Sequence, residues 1–300
     1  MKRRLNIGSK QTVPELQAVG YFEDGLSQMN GEGFNSRRAL FHGGKTFKSV
    51  CSLDVDIFQQ QKLLPNNLLV DIEITPHNNA FALLSNGNEE YKYEILDCRL
   101  FVKHYLLNPE LHNSIQEKLD KGAFAKYNYT RNMISHYFIS PGRMDFETVL
   151  FRDKLPKRVF AGLVDARAFN GEIGKSPFAF EPHYLQSIQI RADGKHVPSY
   201  PYKMNWNEND YIRAYKDLSD TTEHSITLAK YETHSAFYGL DLQLDHNKEI
   251  VELQKTGSTY ISLNFSVPVP VNGLQLVIYG EFDSILALDD NRQITKGISV

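Results

Sequence analysis

Residues 155–204 decide the fold and read LPKRVFAGLVDARAFNGEIGKSPFAFEPHYLQSIQIRADGKHVPSYPYKM. They hold two runs rich in β-branched and aromatic residues, 158–164 and 184–191, separated by a long loop. The sequence ADGK follows the second run at 192–195. Asp-Gly beside alternating apolar residues signals a hairpin, because a type I′ turn needs positive φ at both central residues. The stretch therefore predicts an antiparallel sheet with long loops, and it indicates no reaction.

The region that surrounds this stretch, residues 123–290, predicts an all-β module. Strands are predicted at 127–139, 148–151, 158–164, 184–191, 237–244, 260–267 and 274–282, with one short helix at 208–219. Pro268 and Pro270 have no N–H to give to a ladder, so their segment is predicted at an edge or a strand end. Seven or eight strands with uneven loops are typical of a β-sandwich or jelly roll.

The region before residue 108 contains fewer strand signals. Residues 53–57 and 68–74 alternate apolar and acidic side chains and predict a pair of strands with one wet face. Further strands are predicted at 80–84 and within 91–107. Near the N-terminus we predict a short helix at 13–29 and a loop at 30–35.

Between the two regions, residues 108–121 predict a connector helix. Asn108 suits the N-cap, and Pro109 suits the first helical position. Leu111, Ile115 and Leu119 form one apolar stripe at spacings of four.

The bulk composition excludes several classes of protein. The 300 residues carry a net charge of −3, which gives no general attraction to nucleic acid or membranes. Two cysteines, Cys51 and Cys98, are too few for a disulfide framework and suit a reducing compartment; we expect them as a buried pair of free thiols. Neither an apolar run long enough for a membrane helix nor a secretory signal is found, so no membrane span and no secretion are expected.

Candidate reactive residues have simpler structural interpretations. The acidic pairs Asp54/Asp56 and Asp71/Glu73 are interpreted as solvated strand faces. The ten His residues, His224 and His234 among them, show no HExxH or comparable ligand spacing, so we expect no metal site.

Other short patterns are weak as well. The sequence HGGK at 42–45 lacks the spacing of a phosphate-binding loop. The glycosylation sequons at 128–130 and 264–266 fall in predicted strands and are discounted. The basic clusters at 2–4 and 37–38 are too small for specific nucleic-acid binding. No catalytic, cofactor-binding or metal-binding residue is therefore predicted.

Several blocks of the sequence together resemble a known family. The blocks are residues 155–201, residues 37–74 with DIFQQQKLL at 56–64, residues 98–103 followed by the helix and 126–129, and residues 257–289. In this order they resemble the major capsid (hexon) proteins of Polinton/Maverick elements and the related adintoviruses. The resemblance covers roughly residues 37–290 and consists of strand and turn patterns, with no catalytic motif.

The resemblance implies a fold class of all-β, double jelly roll, with two sandwiches side by side. Residues 1–107 supply only part of the strands of a full first roll, so we expect a partial N-terminal jelly roll there. A connector helix at 108–122, a C-terminal jelly roll at 123–290 and a tail at 291–300 complete the expected organisation.

The resemblance further implies a structural protein and no enzyme. The chain is expected to be a major capsid subunit, or a transposon- or virus-derived remnant of one. Its expected partners are a homotrimer, neighbouring capsomers and a minor capsid or penton protein, in a virion assembled in the nucleus or cytoplasm. Aromatic loop residues would supply the contacts between subunits, or would fill the ends of the second sandwich: Phe169, Phe178, Phe180, Tyr200, Tyr202, Trp206 and Tyr211.

Two other classes of function stay open. A jelly-roll module that binds glycans or peptides without catalysis would carry a concave, aromatic- and Asn/Asp-lined groove on one sheet. An enzyme on a β-sandwich would need converging carboxylates or His ligands in a deep cleft, and no pattern in the sequence indicates them.

Overall fold

The computed structural model describes residues 31–51, 53–87, 90–222, 226–243 and 255–294. Within these ranges the strands are β1 (Ala125–Ile139), β2 (Asp145–Phe151), β3 (Arg158–Asp165), β4 (Leu185–Ala192), β5 (Lys195–Lys203), β6 (Phe237–Asp241), β7 (Thr259–Phe265) and β8 (Leu274–Leu288). The helices are α1 (Glu32–Phe41), α2 (Asn79–Ala82), α3 (Pro109–Asp120), α4 (Ala166–Asn170), α5 (Ile212–Thr221) and α6 (Leu228–Thr233), with 3₁₀ turns at Asp56–Gln59 and Trp206–Glu208.

The strands form two antiparallel sheets of four strands each. Sheet 1 has the order β1-β8-β3-β6, and sheet 2 has the order β2-β7-β4-β5. The chain crosses between the sheets after β1, β2, β3, β5, β6 and β7, so sequence neighbours seldom pair. This double Greek-key order is that of a jelly roll. The all-β fold class is confirmed, and the strands predicted after residue 123 all form.

Sheet 1 is held together by its longest pair of strands. β1 and β8 pair without interruption from Ala125↔Leu288 to Ile139↔Leu274. The first half of β8, LQLVIYG, is buried on both faces, as is the central part of β3. Side chains on one face enter the core between the sheets, and α5 packs over β6 on the other side.

Sheet 2 shows the alternation expected of a sheet with one wet face. Along β7 the side chains of Ile261, Leu263 and Phe265 are buried, whereas Asn264 is exposed. β4 alternates in the same way. The apolar side chains of both sheets meet in one continuous core, whose burial supplies the main driving force for folding.

The hairpin predicted from the Asp-Gly pair is confirmed. Asp193 and Gly194 have φ of 47° and 75°, and Ala192 pairs with Lys195 across the turn. The second strand of this hairpin, β5, was missed in the sequence because it contains Pro198 and Pro201. Proline is tolerated there because β5 is an edge strand, so one side of it needs no ladder donor.

The helix predicted at 108–121 forms as α3. The Asn108 side chain accepts a hydrogen bond from the Glu110 amide at 3.1 Å, and Pro109 is the first helical residue. Of the predicted apolar stripe, only Leu119 is buried, whereas Leu111 and Ile115 are exposed.

The strands predicted within residues 53–107 are not formed, and these individual predictions are wrong. Residues 56–59 form a 3₁₀ turn, 79–82 form α2, and 68–74 and 91–107 carry no strand hydrogen bonds within the described chain. An isolated pair of strands is only marginally stable in water without a layer over its apolar face. The loop predicted at 30–35 is also wrong, because α1 begins at Glu32. The helix predicted at 13–29 lies outside the described residues.

Candidate functional site

Two of the acidic residues singled out in the sequence, Asp54 and Asp56, accept hydrogen bonds from other parts of the chain. Asp56 accepts hydrogen bonds from the backbone amide of Asn132 at 2.8 Å and from the Asn132 side chain. Asp54 accepts from Gln59 Nε2 at 3.2 Å. Because β1 is an edge strand of sheet 1, the Asp56 carboxylate replaces a neighbouring strand at that point of the ladder. The strand face predicted for Asp71 and Glu73 does not exist, and both residues are exposed in irregular chain.

The other candidate residues form no reactive cluster. Cys51 and Cys98 are free and exposed, so the expectation of a buried thiol pair is wrong. Across the described residues, no group of three or more His, Cys, Asp or Glu could hold a metal ion. The HGGK sequence forms an exposed turn after α1, with Gly43 and Gly44 at positive φ. His224 and the basic residues 2–4 lie outside the described residues.

A search of the described helices finds none that is both long enough and apolar enough to cross a bilayer.

The aromatic loop residues differ in their burial. Phe180, Tyr202 and Tyr211 are buried in the core of the sandwich, and Phe169 and Trp206 pack against it. Phe178 and Tyr200 are exposed, Tyr200 by 79%. Most of these side chains therefore fill the end of the sandwich, and two remain on the surface.

Four loops meet at one end of the sandwich. Gly142 and Arg143, after β1, exchange backbone hydrogen bonds of 2.9 Å with Val269, after β7. The Ser266 amide donates to the Tyr184 carbonyl at 3.0 Å, which joins the loop after β7 to the loop before β4. Because backbone atoms make these contacts, the loop end is a connected surface whose shape depends little on individual side chains.

The long β5–β6 loop is fixed to this end as well. Phe180 and His234 bond through their backbones at 3.0 Å, and Ala236 donates back to the Phe180 carbonyl at 2.9 Å. Trp206 Nε1 donates to the Leu185 carbonyl at 2.9 Å. The indole is therefore held in one orientation, with its ring stacked on Tyr211 at 4.6 Å between centroids and 17° between planes.

Two adjacent cavities open among these loops. The first, of about 610 Å³, crosses the end of sheet 2 and is lined by residues of mixed character: Met144, Asp145, Gln186, Ser187, Lys203, Met204, Asn205, Asp210, Asn264 and Phe265. The second has about 510 Å³, and we call it the loop-end cavity. It is lined by Glu181, Pro182, His183, Tyr184, Trp206, Asn207, Asn209, Tyr211, Glu232, Thr233, Val267 and Pro270.

The loop-end cavity combines aromatic walls with acidic groups. Three aromatic rings line it, those of Tyr184, Trp206 and Tyr211. The Tyr211 hydroxyl donates a hydrogen bond to the Glu232 carboxylate. Glu181 is the second carboxylate in the lining, and no Lys or Arg is among the lining residues. This lining is similar to the aromatic- and Asn/Asp-lined groove expected of a glycan- or peptide-binding module, but it lies at the end of the sandwich.

The charge state of the cavity follows from burial. Burial lowers the pKa of His183 to about 4, so its imidazole is neutral at pH 7. Burial and the nearby Asp165 raise the pKa of Glu181, although Lys175 opposes this. Lys175 itself pairs with Asp165 at 2.8 Å, so the two charges largely cancel. The lining therefore contributes no positive side-chain charge of its own at pH 7.

The sequence patterns gave little indication of this cavity. Trp206, Tyr211 and Glu232 come from one long loop, whereas Glu181 and His183 come from another. His183 and Tyr184 both have positive φ, of 46° and 55°. These lining residues have no recurring spacing in the sequence, and the hydrogen-bonded loops bring them together. The one signal in the sequence was the high density of aromatic residues in the β5–β6 loop.

Comparison of the sequence with family models gives no match. An uncharacterized protein of Caenorhabditis elegans, F54H12.2, is 27% identical over 288 residues, which cover 91% of this chain and 68% of that protein.

Three comparisons with solved structures concern viral capsids. The PBCV-1 virus capsid gives a TM-score of 0.40 at 10% identity, over 61% of this chain and 54% of the other. PBCV-1 VP54 fitted into a reconstruction of the virophage Sputnik gives 0.41 at 9% identity, over 64% and 55%. The Sputnik virophage structure gives 0.39 at 14%, over 59% and 39%. The chain spans about half the length of the first two structures. The jelly-roll assignment rests on the strand order described above.

Proposed function

We propose that the chain is a capsid-type structural subunit, related in origin to the major capsid proteins of Polinton/Maverick elements, and that it acts by assembly with copies of itself. The single observation that carries this proposal is a complete jelly roll adjoined by a segment whose apolar residues are exposed. The segment comprises residues 50–107, of which only part forms helix or 3₁₀ turn.

The exposure of this segment exceeds what a monomer ordinarily tolerates. Leu69 is 85% exposed, Phe101 82% and Leu106 fully exposed. Val70, Ile72 and Ile74 of the alternating run are exposed as well. Apolar side chains exposed along one stretch of chain are typical of an interface, because their burial against a partner is favourable by about 25 cal/mol per Å² of apolar surface.

Copies of the same chain are the partner that this proposal assigns. In a symmetric oligomer the exposed segment of one copy would lie against a sandwich or the same segment of the next. The alternating sequence at 68–74 would then form strands on assembly, as part of a partial first jelly roll within residues 1–107. The proposed assembly unit is a trimer that joins neighbouring capsomers and a penton-type protein in a shell, and the proposed role involves no catalysis.

The experiment is to measure the mass of the purified protein by light scattering and sedimentation at micromolar concentration. We expect a trimer, and a Phe101→Glu/Leu106→Glu variant should sediment as a monomer because two charges would be buried at the interface. Val271→Glu is the matched control, since Val271 is 88% exposed in the β7–β8 loop outside this segment. A wild-type protein that remains monomeric throughout would overturn the proposal.

A further inference from the structure

We propose that the loop-end cavity binds a cationic side chain, preferentially the guanidinium of an arginine presented by a peptide. This inference concerns a different surface from residues 50–107 and does not depend on the proposed assembly. It rests on the shape, the aromatic walls and the charge of the cavity.

The cavity is large enough to admit an extended side chain. Its volume of about 510 Å³ falls in the range of small-ligand sites, about 300–1,000 Å³. Its walls come from three loops that are joined by backbone hydrogen bonds, so the cavity exists before a ligand arrives. A preformed site of this kind spends little binding free energy on ordering its own residues.

The aromatic walls favour a planar cation. Trp206 lies nearly parallel on the buried ring of Tyr211, which supports it from behind, and Trp206 is anchored through its Nε1 hydrogen bond to Leu185. A guanidinium group stacks on such rings through both its flat shape and its charge, whereas a lysine ammonium contributes charge alone. Tyr184, which is half exposed, lines the same cavity and offers a second ring beside Trp206.

The charges of the lining select for a cation over a neutral or anionic ligand. Glu181 and Glu232 supply two carboxylates, and the lining contains no Lys or Arg that would neutralise them. Lys203 lines the neighbouring cavity, and Lys175 pairs with Asp165. Asn207 and Asn209 add amide oxygens that accept hydrogen bonds from a guanidinium group.

The chain provides its own reporter for this test. Trp206 is the only tryptophan among the 300 residues, so the intrinsic indole fluorescence reports on the loop-end cavity. The probe is N-acetyl-argininamide, titrated into the full chain. Its matched comparison is N-acetyl-citrullinamide, which has nearly the same shape and no charge. We expect a saturable change with the arginine compound and about tenfold weaker binding of the citrulline compound, which corresponds to about 1.4 kcal/mol.

Variants separate the carboxylates from the packing of the site. Glu232→Gln should weaken arginine binding about tenfold, and Glu181→Gln should weaken it as well. Tyr211→Phe keeps the aromatic wall and removes the hydroxyl that engages Glu232, so it should bind arginine at least as tightly as wild type. Glu147→Gln, at an exposed carboxylate on β2, is the charge-matched control and should leave binding unchanged. Thermal denaturation of each variant checks that it is folded.

Several outcomes would overturn the inference. Equal binding of the arginine and citrulline compounds would show that charge plays no part. If Tyr211→Phe weakens binding as much as Glu232→Gln does, the effect comes from the position of Tyr211 and not from the charge of Glu232. A saturable response to methyl glucoside that survives both Glu→Gln changes would identify a saccharide site, and the absence of any saturable response in folded wild-type protein would remove the site altogether.

Discussion

Arg158 and Glu281 face each other across β3 and β8, and the Arg158 guanidinium lies 2.6 Å from Glu281 Oε2. A third element joins the pair, because Arg158 Nη1 donates to the carbonyl of Thr221, the last residue of α5, at 2.9 Å. Both side chains are largely buried, at 19% and 14% exposure. The pair therefore connects the centre of sheet 1 to the helix that covers it.

Removal of the carboxylate from this pair should destabilise the protein. In Glu281→Gln the Arg158 charge would stay partly buried without its counter-ion, which should cost about 2–3 kcal/mol of unfolding free energy. The Arg158→Met/Glu281→Leu double variant should lose less than the sum of the single changes, because neither charge is then left unpaired. Urea denaturation measures these differences.

The matched control is the exposed pair of Arg191 and Glu147, whose charged atoms are 3.9 Å apart. Glu147→Gln should change the unfolding free energy by less than about 0.5 kcal/mol, as is usual for surface pairs. If Glu281→Gln and Glu147→Gln lower the unfolding free energy equally, the buried pair of Arg158 and Glu281 contributes no more to stability than a surface pair.

Gly280 of β8 should not tolerate a side chain. A Cβ atom at this position would lie 2.6 Å from the ring of Phe151, which packs edge-on against Phe282 with centroids 5.1 Å apart. The ring has little room to move, so Gly280→Ala should cost about 1–3 kcal/mol. Thermal denaturation measures the loss.

Relief of the crowding provides the control for this prediction. Phe151→Leu in the Gly280→Ala background should recover part of the stability, and Gly174→Ala should be neutral because a Cβ there meets nothing within 4 Å. If Gly280→Ala has the same melting temperature as the wild type, the close approach of Phe151 has no energetic consequence.

The sequence predictions succeeded where a segment carries a clear local pattern. β3, β4 and β8 were predictable because their apolar residues are contiguous or alternate, and the I′ turn at Asp193 and Gly194 has a specific chemistry. β5 was missed because its two prolines count against a strand until its edge position is known.

The failures came from interactions that a local pattern does not contain. Residues 68–74 alternate as a strand does, yet no described layer covers their apolar side chains, and local propensity does not supply the missing partner. The loop-end cavity depends on Glu181 and Glu232, which are far apart in sequence and meet through loop contacts. Neither carboxylate has a neighbour in sequence that marks it as part of a site.

Asp56 should control the edge of sheet 1. In Asp56→Ala the Asn132 amide would lose its acceptor, and residues 56–66 would lose one of their contacts with β1. We expect faster hydrogen exchange at Asn132 and little change at the amides of β8. Mass spectrometry or NMR of the exchanging protein measures both.

Asp71→Ala is the control for the loss of an acidic residue in the same region, because Asp71 is exposed and lies outside these contacts. Lys62 and Tyr127 also join this region, through Lys62 Nζ to the Lys126 carbonyl at 2.9 Å and the Tyr127 hydroxyl to the Leu63 carbonyl at 3.1 Å. The effect of Asp56→Ala should therefore be local. Unchanged exchange at Asn132 would contradict the capping role of Asp56.

His183 should make the stability depend on pH between about 6.5 and 4. Burial lowers its pKa to about 4 in the folded protein, whereas the unfolded chain takes up a proton near pH 6.5. The unfolded state thus binds more protons in this window, and stability falls as the pH falls. The loss from this residue should reach about 3 kcal/mol at most, since 1 pKa unit corresponds to about 1.4 kcal/mol.

Neighbouring titratable groups change the stability with pH in other directions. The test therefore compares the pH dependence of stability between variants and wild type. The raised pKa of Glu181 makes the folded state bind protons more readily and favours folding as the pH falls. Although burial works to raise the pKa of Asp165, the Lys175 ammonium and the backbone amides of α4 hold it lower, so its contribution to stability is lost only at more acidic pH.

The variant His183→Asn removes the imidazole, and asparagine tolerates the positive φ of 46°. Urea denaturation at about pH 7 and about pH 5 should therefore show a smaller loss of unfolding free energy than in the wild type. The control His112→Asn, at an exposed position of α3, should keep the pH dependence of stability of the wild type. If stability changes equally with pH in the wild type and in His183→Asn, His183 titrates normally in the folded chain.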